Sequence, residues 1–419
     1  MYDLCVIGGG MSGMAAAITA AKAGKKVILF EKNKKLGKKL YATGNGRCNL
    51  TNMSIDLGRD FNSSYSDYET FIRDAFGDGE LTSKVIEFFN SIGISTVNVD
   101  DTYVYPASMQ ASAVVWALID ALNNYNVEIV LNTKIKDIVI DTDETYIVSH
   151  SDMKITSKKL ILANGSKAYP SLGGNDTGYK LAKKFGHNII QINPALCGLI
   201  TEEDFSPISG IRAKASAVLF EDGCGEVMGN EVGELQITDY GVSGIMMFNL
   251  SSKVGRLLKQ GKKPVVCIDF LRDIQEQNNF TTIRSTEDII LGQIAKASKD
   301  RTILAFLNSF VNDKLAAYVC DLQGIDKKTK VSQLNDETIN NLIVTLNQFK
   351  VTIKSLRDFE SGQVCAGGVD LKEINPIDFS SKICPGLHIV GELLDMDGLC
   401  GGYNLTFAVL SGIAAGKAI

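Results

Sequence analysis

Residues 2–31 read YDLCVIGGGMSGMAAAITAAKAGKKVILFE, and this stretch decides the fold. The first six residues are mostly apolar and predict a central β-strand. Glycines follow at positions 8, 9, 10 and 13, and an alanine-rich helix then extends to Gly24, a residue suited to a helix C-terminal cap. Residues 26–30 predict a second strand, which ends at Glu31.

Each glycine of this turn has a predicted task. Gly8 makes the tight turn, Gly10 lets the backbone approach a pyrophosphate, and Gly13 lets the helix pack against the strand. Glu31 follows Gly10 by 21 residues, where a carboxylate can accept hydrogen bonds from the adenosine ribose and disfavours a 2′-phosphate. The order of elements predicts a Rossmann-type dinucleotide site, without separating FAD from NAD.

The segment that favours FAD is residues 36–52, LGKKLYATGNGRCNLTN. It is too long and too rich in glycine and polar residues for a simple connection between strands, and such loops usually carry function. Gly44 and Gly46 would bring backbone N–H groups close to a planar ligand. Arg47 and Asn49 would donate hydrogen bonds to its carbonyl edge or to phosphate.

Further strand-to-helix junctions occur later in the chain. Residues 127–141 have strand character, and the apolar strand predicted at 159–163 ends in Asn164 and Gly165. Another strand is predicted at 387–390, before a glycine-rich turn and a helix of small residues. The N-terminus of that helix would face an anion or the electron-rich edge of a reduced flavin. Because such elements occur near both ends, the middle is predicted to be an insertion.

Composition limits the partners. The formal net charge is −5, which gives no broad positive field and disfavours nucleic-acid and membrane partners; the seven lysines in residues 25–39 fit a solvated face around a phosphate-rich cofactor. The nine cysteines show no CxxC or zinc spacing, so we expect no metal site and a reducing, cytoplasmic location. The sequence does not indicate an oligomeric state.

Four segments carry a resemblance to a known family: TGNGRCNLTN at 43–52, YPSLGGNDTGY at 169–179, AGGVDLKEINP at 366–376 and GELLDMDGLCGGYNL at 391–405. They resemble the BaiN/RdsA-type NAD(P)/FAD-dependent oxidoreductases over nearly the whole chain. GELQITDYGVSG at 233–244 is similar to that family's inserted-domain motif, with Asp239 where histidine is common. Cys365 replaces a common threonine, while Thr406 and Phe407 replace a common glutamine–tryptophan pair.

The resemblance implies an α/β fold in which both chain ends form a Rossmann-like FAD-binding domain, at 1–189 and 355–419. An inserted β domain would occupy 190–272 and 348–354, with strands at 215–220, 226–228 and 265–270. A small helical domain would occupy 273–347, where helical spacing occurs at 289–297, 303–311 and 339–349. The substrate would lie between the isoalloxazine ring and these insertions.

The expected function is an FAD-dependent oxidoreductase, in which the flavin performs hydride chemistry at N5 and the protein supplies orientation and electrostatics. The resemblance implies an NAD(P)H-linked reductase of a small hydrophobic unsaturated ketone, such as a steroid or bile-acid intermediate, with NADH or NADPH bound transiently. An amine or alcohol oxidase and a flavin-containing RNA-modification or binding factor are the alternatives. No catalytic side chain is assigned, and packing is favoured over redox chemistry for Cys48, Cys365 and Cys400.

The residues predicted to contact FAD lie in the glycine turn, the ends of the second and later strands, the 43–49 loop and the C-terminal junction. They are Gly8, Gly10, Met11, Ser12, Gly13, Glu31, Lys32, Lys39, Thr43, Gly44, Asn45, Gly46, Arg47, Cys48, Asn49, Ile135, Ala163, Asn164, Gly165, Gly391, Glu392, Asp397, Gly402, Tyr403, Asn404 and Leu405.

Overall fold

The computed structural model describes residues 1–77, 79–141, 143, 145–150, 153–272 and 300–419. These residues form two compact units, Met1–Pro194 with Phe359–Ile419, and Ala195–Asp358. Each unit encloses its own hydrophobic core. Among the described helices, none is both long enough and apolar enough to cross a membrane.

The strands, in chain order, are β1 (Tyr2–Ile7), β2 (Val27–Phe30), β3 (Thr51–Asn52), β4 (Phe61–Asn62), β5 (Thr96–Val99), β6 (Tyr103–Pro106), β7 (Glu128–Val130), β8 (Ile135–Ile140), β9 (Tyr146–His150), β10 (Met153–Leu162), β11 (Ile189–Ala195), β12 (Leu199–Thr201), β13 (Arg212–Glu221), β14 (Val227–Thr238), β15 (Gly241–Ser243), β16 (Pro264–Asp269), β17 (Phe349–Leu356), β18 (Val364–Val369), β19 (Leu387–Ile389) and β20 (Asp397–Gly398).

The described α-helices are α1 (Met11–Lys22), α2 (Leu57–Asp60), α3 (Tyr68–Phe76), α4 (Leu81–Ser91), α5 (Ala111–Asn124), α6 (Thr177–Lys184), α7 (Ile245–Lys259), α8 (Ile303–Leu307), α9 (Asp313–Leu322), α10 (Asp336–Asn347) and α11 (Tyr403–Lys417). Short 3-10 helices occupy Leu40–Gly46, Pro170–Leu172, Ser206–Ile208, Val331–Gln333, Leu371–Glu373 and Gly391–Leu393; the first contains a kink at Thr43–Asn45.

The main sheet of the first unit combines strands from both ends of the chain. Strands β7, β2, β1 and β10 run in that order and are mutually parallel, and β19 pairs in parallel with the second half of β10. Strands β9 and β8 continue the sheet by antiparallel pairing along the first half of β10. The predicted Rossmann-like fold, built from the N-terminal and C-terminal parts of the chain, is therefore confirmed.

Helices α1 and α11 pack closely because both carry small residues on the facing sides. A Cβ atom on Gly412 would lie 2.3 Å from the Ser12 carbonyl oxygen, and one on Gly416 would lie 2.5 Å from that of Ala16. Atoms at such separations overlap, so larger residues would push the two helices apart. This packing fixes the C-terminal helix against the helix that follows the glycine turn.

Two local expectations need adjustment. Residues 127–141 contain two strands, β7 and β8, which lie at opposite ends of the main sheet. Between them Asn132 has a left-handed φ of +53°, which ends the first strand. Strand β10 begins at Met153, before the predicted residue 159, because its first half pairs with β9 in an antiparallel hairpin.

The second unit contains a closed barrel in the order β12–β15–β14–β13–β16–β17, closed by pairing of β12 with β17. This confirms the expected β-rich insertion, and the strands predicted at 215–220 and 265–270 correspond to β13 and β16. Helix α7 lies within the segment expected to be strand-rich, with Met247, Leu250 and Val254 in the core. The expected separation into β and helical domains stays a prediction.

The three segments of the insertion that show helical spacing differ in how they compare with the structure. Residues 303–311 contain the short helix α8, and residues 339–349 overlap α10, which begins three residues earlier at Asp336. Residues 289–297 lie outside the described residues. The strand predicted at 226–228 is the start of the longer β14.

Candidate functional site

A cleft lies at the carboxyl ends of β1, β2 and β10, where open parallel sheets usually bind ligands. About 980 Å³ of the cleft is free of protein atoms, and part of this volume is open to solvent. Its lining residues are Ile7, Gly8, Gly9, Gly10, Met11, Ser12, Phe30, Glu31, Lys32, Asn33, Lys38, Lys39, Thr133, Lys134, Ile135, Ala163, Asn164, Gly165, Ser166, Ala168, Leu172, Gly173, Gly174, Asn175, Thr177, Glu392 and Ala408.

The glycines of the turn differ in what surrounds them. Gly8 has φ +116°, and a Cβ there would lie 2.2 Å from the Ala163 carbonyl oxygen. A Cβ on Gly13 would lie 1.9 Å from the Gly8 carbonyl oxygen. By contrast, apart from its immediate chain neighbours, no described residue has an atom within 4 Å of the Cβ position of Gly10, which lines the cleft. Gly8 and Gly13 thus serve packing, whereas Gly10 leaves space for a ligand.

Positive charge surrounds this space. Helix α1 begins at Met11 beside the cleft. Its N-cap residue, Gly10, has no side chain that could cap the helix, and its first turn contains no acidic residue. The positive end of the helix dipole therefore faces the cleft, as in phosphate-binding turns. Lys32, Lys38 and Lys134 also line it, and partial burial lowers the pKa of Lys32. A pyrophosphate would relieve this excess of positive charge.

Glu31 is buried at the end of β2 and organises the turn. Its Oε2 accepts a hydrogen bond from the Gly9 N–H at 2.8 Å, while its Oε1 accepts from the backbone N–H and the side-chain Nδ2 of Asn33 at 2.8 and 2.6 Å. A carboxylate can accept about four hydrogen bonds, so capacity remains for a ribose hydroxyl. The structure places Glu31 in the cleft, as its predicted role requires.

One carboxylate connects three walls of the cleft. Lys39 Nζ lies 2.7 Å from Oε2 and 2.9 Å from Oε1 of Glu392, and the Ser166 hydroxyl lies 2.7 Å from Oε1. These residues follow β2, β19 and β10, respectively. The C-terminal part of the chain thus reaches the cleft through Glu392, while the adjacent Gly391, with φ +68°, packs against Ser12.

The cleft brings together about half of the residues predicted to contact FAD. Those that line it are Gly8, Gly10, Met11, Ser12, Glu31, Lys32, Lys39, Ile135, Ala163, Asn164, Gly165 and Glu392. Those outside this lining are Gly13, Thr43, Gly44, Asn45, Gly46, Arg47, Cys48, Asn49, Gly391, Asp397, Gly402, Tyr403, Asn404 and Leu405. The roles of both groups in binding FAD stay predictions.

The 43–49 loop has the strained backbone of a ligand-binding turn. Asn45 and Cys48 have left-handed φ values of +54° and +61°. The Arg47 guanidinium lies over the Tyr105 ring at 5.3 Å from its centroid. Oδ1 of Asn49 is buried and has no hydrogen-bond partner among the described residues. Because buried polar atoms are normally paired, this atom fits a missing ligand donor.

The C-terminal junction has well-defined local contacts. Oδ1 of Asn404 accepts from the Gly398 N–H at 2.9 Å, and its Nδ2 donates to the Gly398 carbonyl at 2.7 Å. Gly402 has φ +97°, and a Cβ there would overlap the backbone of Thr51. Burial, followed by the nearby Asp60 carboxylate, raises the pKa of Tyr403 to about 12. These contacts order the start of α11.

The predicted site residues do not include the turn at Pro170–Leu172, which closes one side of the cleft. Lys38 donates to the Ser171 carbonyl at 2.7 Å, and Lys32 donates to the Gly173 carbonyl. The missed lining residues include Asn33, Thr133, Lys134, Ser166, Asn175 and Thr177. The motif at 169–179 was the available signal, since a glycine pair between small polar residues is typical of a backbone that lies close to a ligand.

The contacts of His187 give it a structural role. Its Nδ1 lies 2.9 Å from Glu373 Oε2, and its Nε2 lies 2.8 Å from the Ser381 hydroxyl. That hydroxyl oxygen also accepts the N–H groups of Ile383 and Cys384, at 3.0 and 2.8 Å. Both lone pairs of the serine are thus occupied, which makes it unsuited to act as a nucleophile despite the triad-like order.

The thiols near the predicted flavin segments are protected. Burial raises the pKa of Cys48 to about 11 and that of Cys365 to about 11. Both side chains are fully buried, whereas Cys400 is half-buried. Thiols with raised pKa values are poor nucleophiles at neutral pH, which agrees with packing roles for Cys48 and Cys365.

A Rossmann-like sheet with this glycine turn and strand-end cleft defines a dinucleotide-binding protein, here of the class of FAD-dependent oxidoreductases. The chain belongs to the HI0933-like family: a family model described as the HI0933-like protein Rossmann domain matches residues 2–418. The family resemblance found in the four sequence motifs is thereby confirmed.

The chain is similar over nearly its full length to several characterised proteins. It is 34% identical to the 3-dehydro-bile acid delta(4,6)-reductase of Clostridium scindens, with 100% of this chain and 99% of that protein covered. It is 27% identical to the ribosomal RNA dihydrouridine synthase of Escherichia coli, with 97% and 95% covered. A solved 3-ketosteroid-delta4-(5alpha)-dehydrogenase from Rhodococcus jostii RHA1 aligns over 100% of this chain and 96% of that one, at 14% identity and a TM-score of 0.47.

Proposed function

We propose that this enzyme is an NAD(P)H-linked reductase of a carbon–carbon double bond conjugated to a carbonyl, in a small hydrophobic ketone such as a steroid or bile-acid intermediate. The observation that carries the proposal is the full-length similarity to a bile-acid delta(4,6)-reductase. The net charge of −5 also favours a small molecule over a polyanion.

The cleft residues fit FAD. Gly10 leaves open space beside the start of α1, and Asn164 Oδ1 is a buried acceptor with no partner among the described residues. The helix terminus and lysines would hold the pyrophosphate, Glu31 the adenosine ribose, and Asn164 a hydroxyl group. Bound FAD would supply hydride transfer at N5.

In the overall reaction, the double bond gains a hydride at one carbon and a proton at the other, while NADH or NADPH is oxidised to NAD⁺ or NADP⁺. The chain's part is to bind and orient FAD and to exclude competing reactions.

The experiment is an absorption spectrum of the purified protein, followed by anaerobic stopped-flow mixing with NADH and NADPH. We expect a flavin spectrum, bleaching by one nucleotide, and reoxidation by a 3-oxo-Δ4,6 bile acid with formation of the reduced product. Failure of both nucleotides to bleach the flavin, with bleaching by an amine or alcohol, would support the oxidase alternative and contradict the reductase.

A second candidate is reduction of a uridine in ribosomal RNA. The similarity to a ribosomal RNA dihydrouridine synthase favours it, and the chemistry is related because the uracil double bond is also conjugated to a carbonyl. Expression in a strain that lacks its own ribosomal RNA dihydrouridine synthase separates the candidates. New dihydrouridine by RNA mass spectrometry, together with salt-sensitive RNA binding, would favour this candidate over the ketone.

A further inference from the structure

The Lys39–Glu392 pair occupies a central position in the cleft. Lys39 immediately precedes the 3-10 helix Leu40–Gly46, and Glu392 lies in the 3-10 helix Gly391–Leu393 that follows β19. The side chains are 33% and 19% exposed, so the pair is largely removed from solvent. Both residues line the cleft, as does Ser166.

The hydrogen bonds give this pair a fixed geometry. Both carboxylate oxygens of Glu392 contact the same Lys39 ammonium. The Ser166 hydroxyl oxygen accepts the Ala168 N–H at 3.1 Å, which leaves its proton for Glu392. Behind Glu392, the Gly391 N–H donates to the Ser411 hydroxyl at 3.1 Å. The carboxylate is thus held by Lys39 and Ser166, and the backbone just before it is held by Ser411.

The electric field of the pair depends on whether both charges, those of Lys39 and Glu392, are present. Opposite charges at 2.7 Å nearly cancel at a distance, whereas either charge alone in a partly buried cleft is weakly screened and acts over several ångströms. Reduction adds negative charge to a flavin. A lone cation nearby therefore favours the reduced form, and a lone anion favours the oxidised form.

We propose that Lys39 and Glu392 form a charge-balanced positioning pair that holds three walls of the cleft together and sets the reduction potential of bound FAD. This inference rests on the proposed placement of FAD in the cleft, with the isoalloxazine ring close to Lys39 and Glu392. Neither residue needs to exchange a proton or electron. The pair acts through its geometry and its net charge.

The test compares Lys39→Met, Glu392→Gln and the double variant. The midpoint potential of the flavin is measured at saturating FAD against reference dyes, and FAD affinity is measured by titration of the apoprotein. We expect Lys39→Met to lower the potential, Glu392→Gln to raise it, and the double variant to lie between them. Each single change should weaken FAD binding roughly tenfold, because it breaks the hydrogen-bonded link between the walls of the cleft.

Two controls keep the result interpretable. Lys35→Met removes the same charge from an exposed position of the same loop, outside the cleft lining, and should leave the potential unchanged. Lys39→Arg keeps the charge and should stay near the wild-type potential. Single variants that shift the potential in the same direction, or leave it unchanged, overturn the inference. If the wild-type protein binds no FAD, the proposed cofactor placement itself is wrong.

Discussion

The carbonyl oxygen of Gly8 lies 1.9 Å from the position that a Cβ atom would take on Gly13. This separation is far below van der Waals contact, so the strand end and the first turn of α1 can approach only because residue 13 has no side chain. The same turn exposes Gly10 to the cleft, where no described residue other than its chain neighbours has an atom within 4 Å of its Cβ position. Alanine substitutions at the two glycines should therefore have different effects: one on stability and the other on FAD binding.

Gly13→Ala should destabilise the protein by about 1–3 kcal/mol, because the added methyl group overpacks the junction of β1 and α1. Thermal unfolding of the FAD-free protein measures this directly. An unchanged melting temperature for Gly13→Ala would show that the backbone can move apart without cost, contrary to the packing described.

Gly10→Ala should leave the stability of the FAD-free protein close to that of the wild type, since the new methyl group enters open space. It should weaken FAD binding, because the same space is where we place the pyrophosphate. Titration of the apoprotein with FAD provides the measurement. Unaltered FAD affinity would place the pyrophosphate elsewhere.

The buried hydroxyl pair of Thr51 and Thr406, whose oxygens are 2.7 Å apart, joins β3 to α11. Thr51→Val should lower the free energy of unfolding by about 1–3 kcal/mol, because the buried Thr406 hydroxyl loses its hydrogen-bond partner. In the double variant with Thr406→Val, the loss should be smaller than the sum of the two single losses. Chemical denaturation of all four proteins gives this cycle, and strict additivity would argue against the interaction.

Acid should destabilise the protein through its buried histidines. Burial lowers the pKa of His187 and of His388, so both are neutral when folded. As the pH falls below about 6.5, the unfolded chain binds protons that the folded chain does not, and stability decreases. Thermal unfolding between pH 8 and pH 5.5 should show a smaller pH dependence for His187→Gln than for the wild type. Equal slopes would mean that His187 titrates normally.

Native alkylation should distinguish the cysteines. Cys224 is exposed, whereas Cys48 and Cys365 are buried with raised pKa values. Brief treatment with iodoacetamide at pH 7.5, followed by peptide mass spectrometry, should label Cys224 and spare the other two. Cys48→Ser should retain the flavin spectrum and turnover; loss of turnover with an intact spectrum would point to a redox role for this thiol.

The sequence predicted the elements whose local signals are strong. The run from Tyr2 to Glu31 combines strand, glycines, small-residue helix and acidic strand end, and the structure places all of them around one cleft. Motifs near the C-terminus correctly implied that a late strand returns to the first sheet. That inference came from the apolar run at 387–390 and the glycine-rich turn after it, and the family resemblance implies the same plan.

The remaining features depend on contacts distant in sequence. The link between Lys39 and Glu392 joins residues 353 positions apart, and neither residue type indicates its partner. Similarly, the motif at 169–179 indicates a turn, but it does not indicate that its backbone carbonyls accept hydrogen bonds from Lys32 and Lys38. Helix α7 was missed because strand signals on both sides of it dominated the interpretation of that segment.

The late position of β19 has a consequence for synthesis on the ribosome. Strand β10 is translated long before β19, its later parallel neighbour, and the whole barrel-containing unit is synthesised in between. Until the last part of the chain emerges, the second half of one edge of β10 lacks β19 and the small-residue face of α1 lacks α11. A nascent chain in this state has an open sheet edge, a feature that promotes association with other chains, so its folding should benefit from chaperones that bind growing polypeptides.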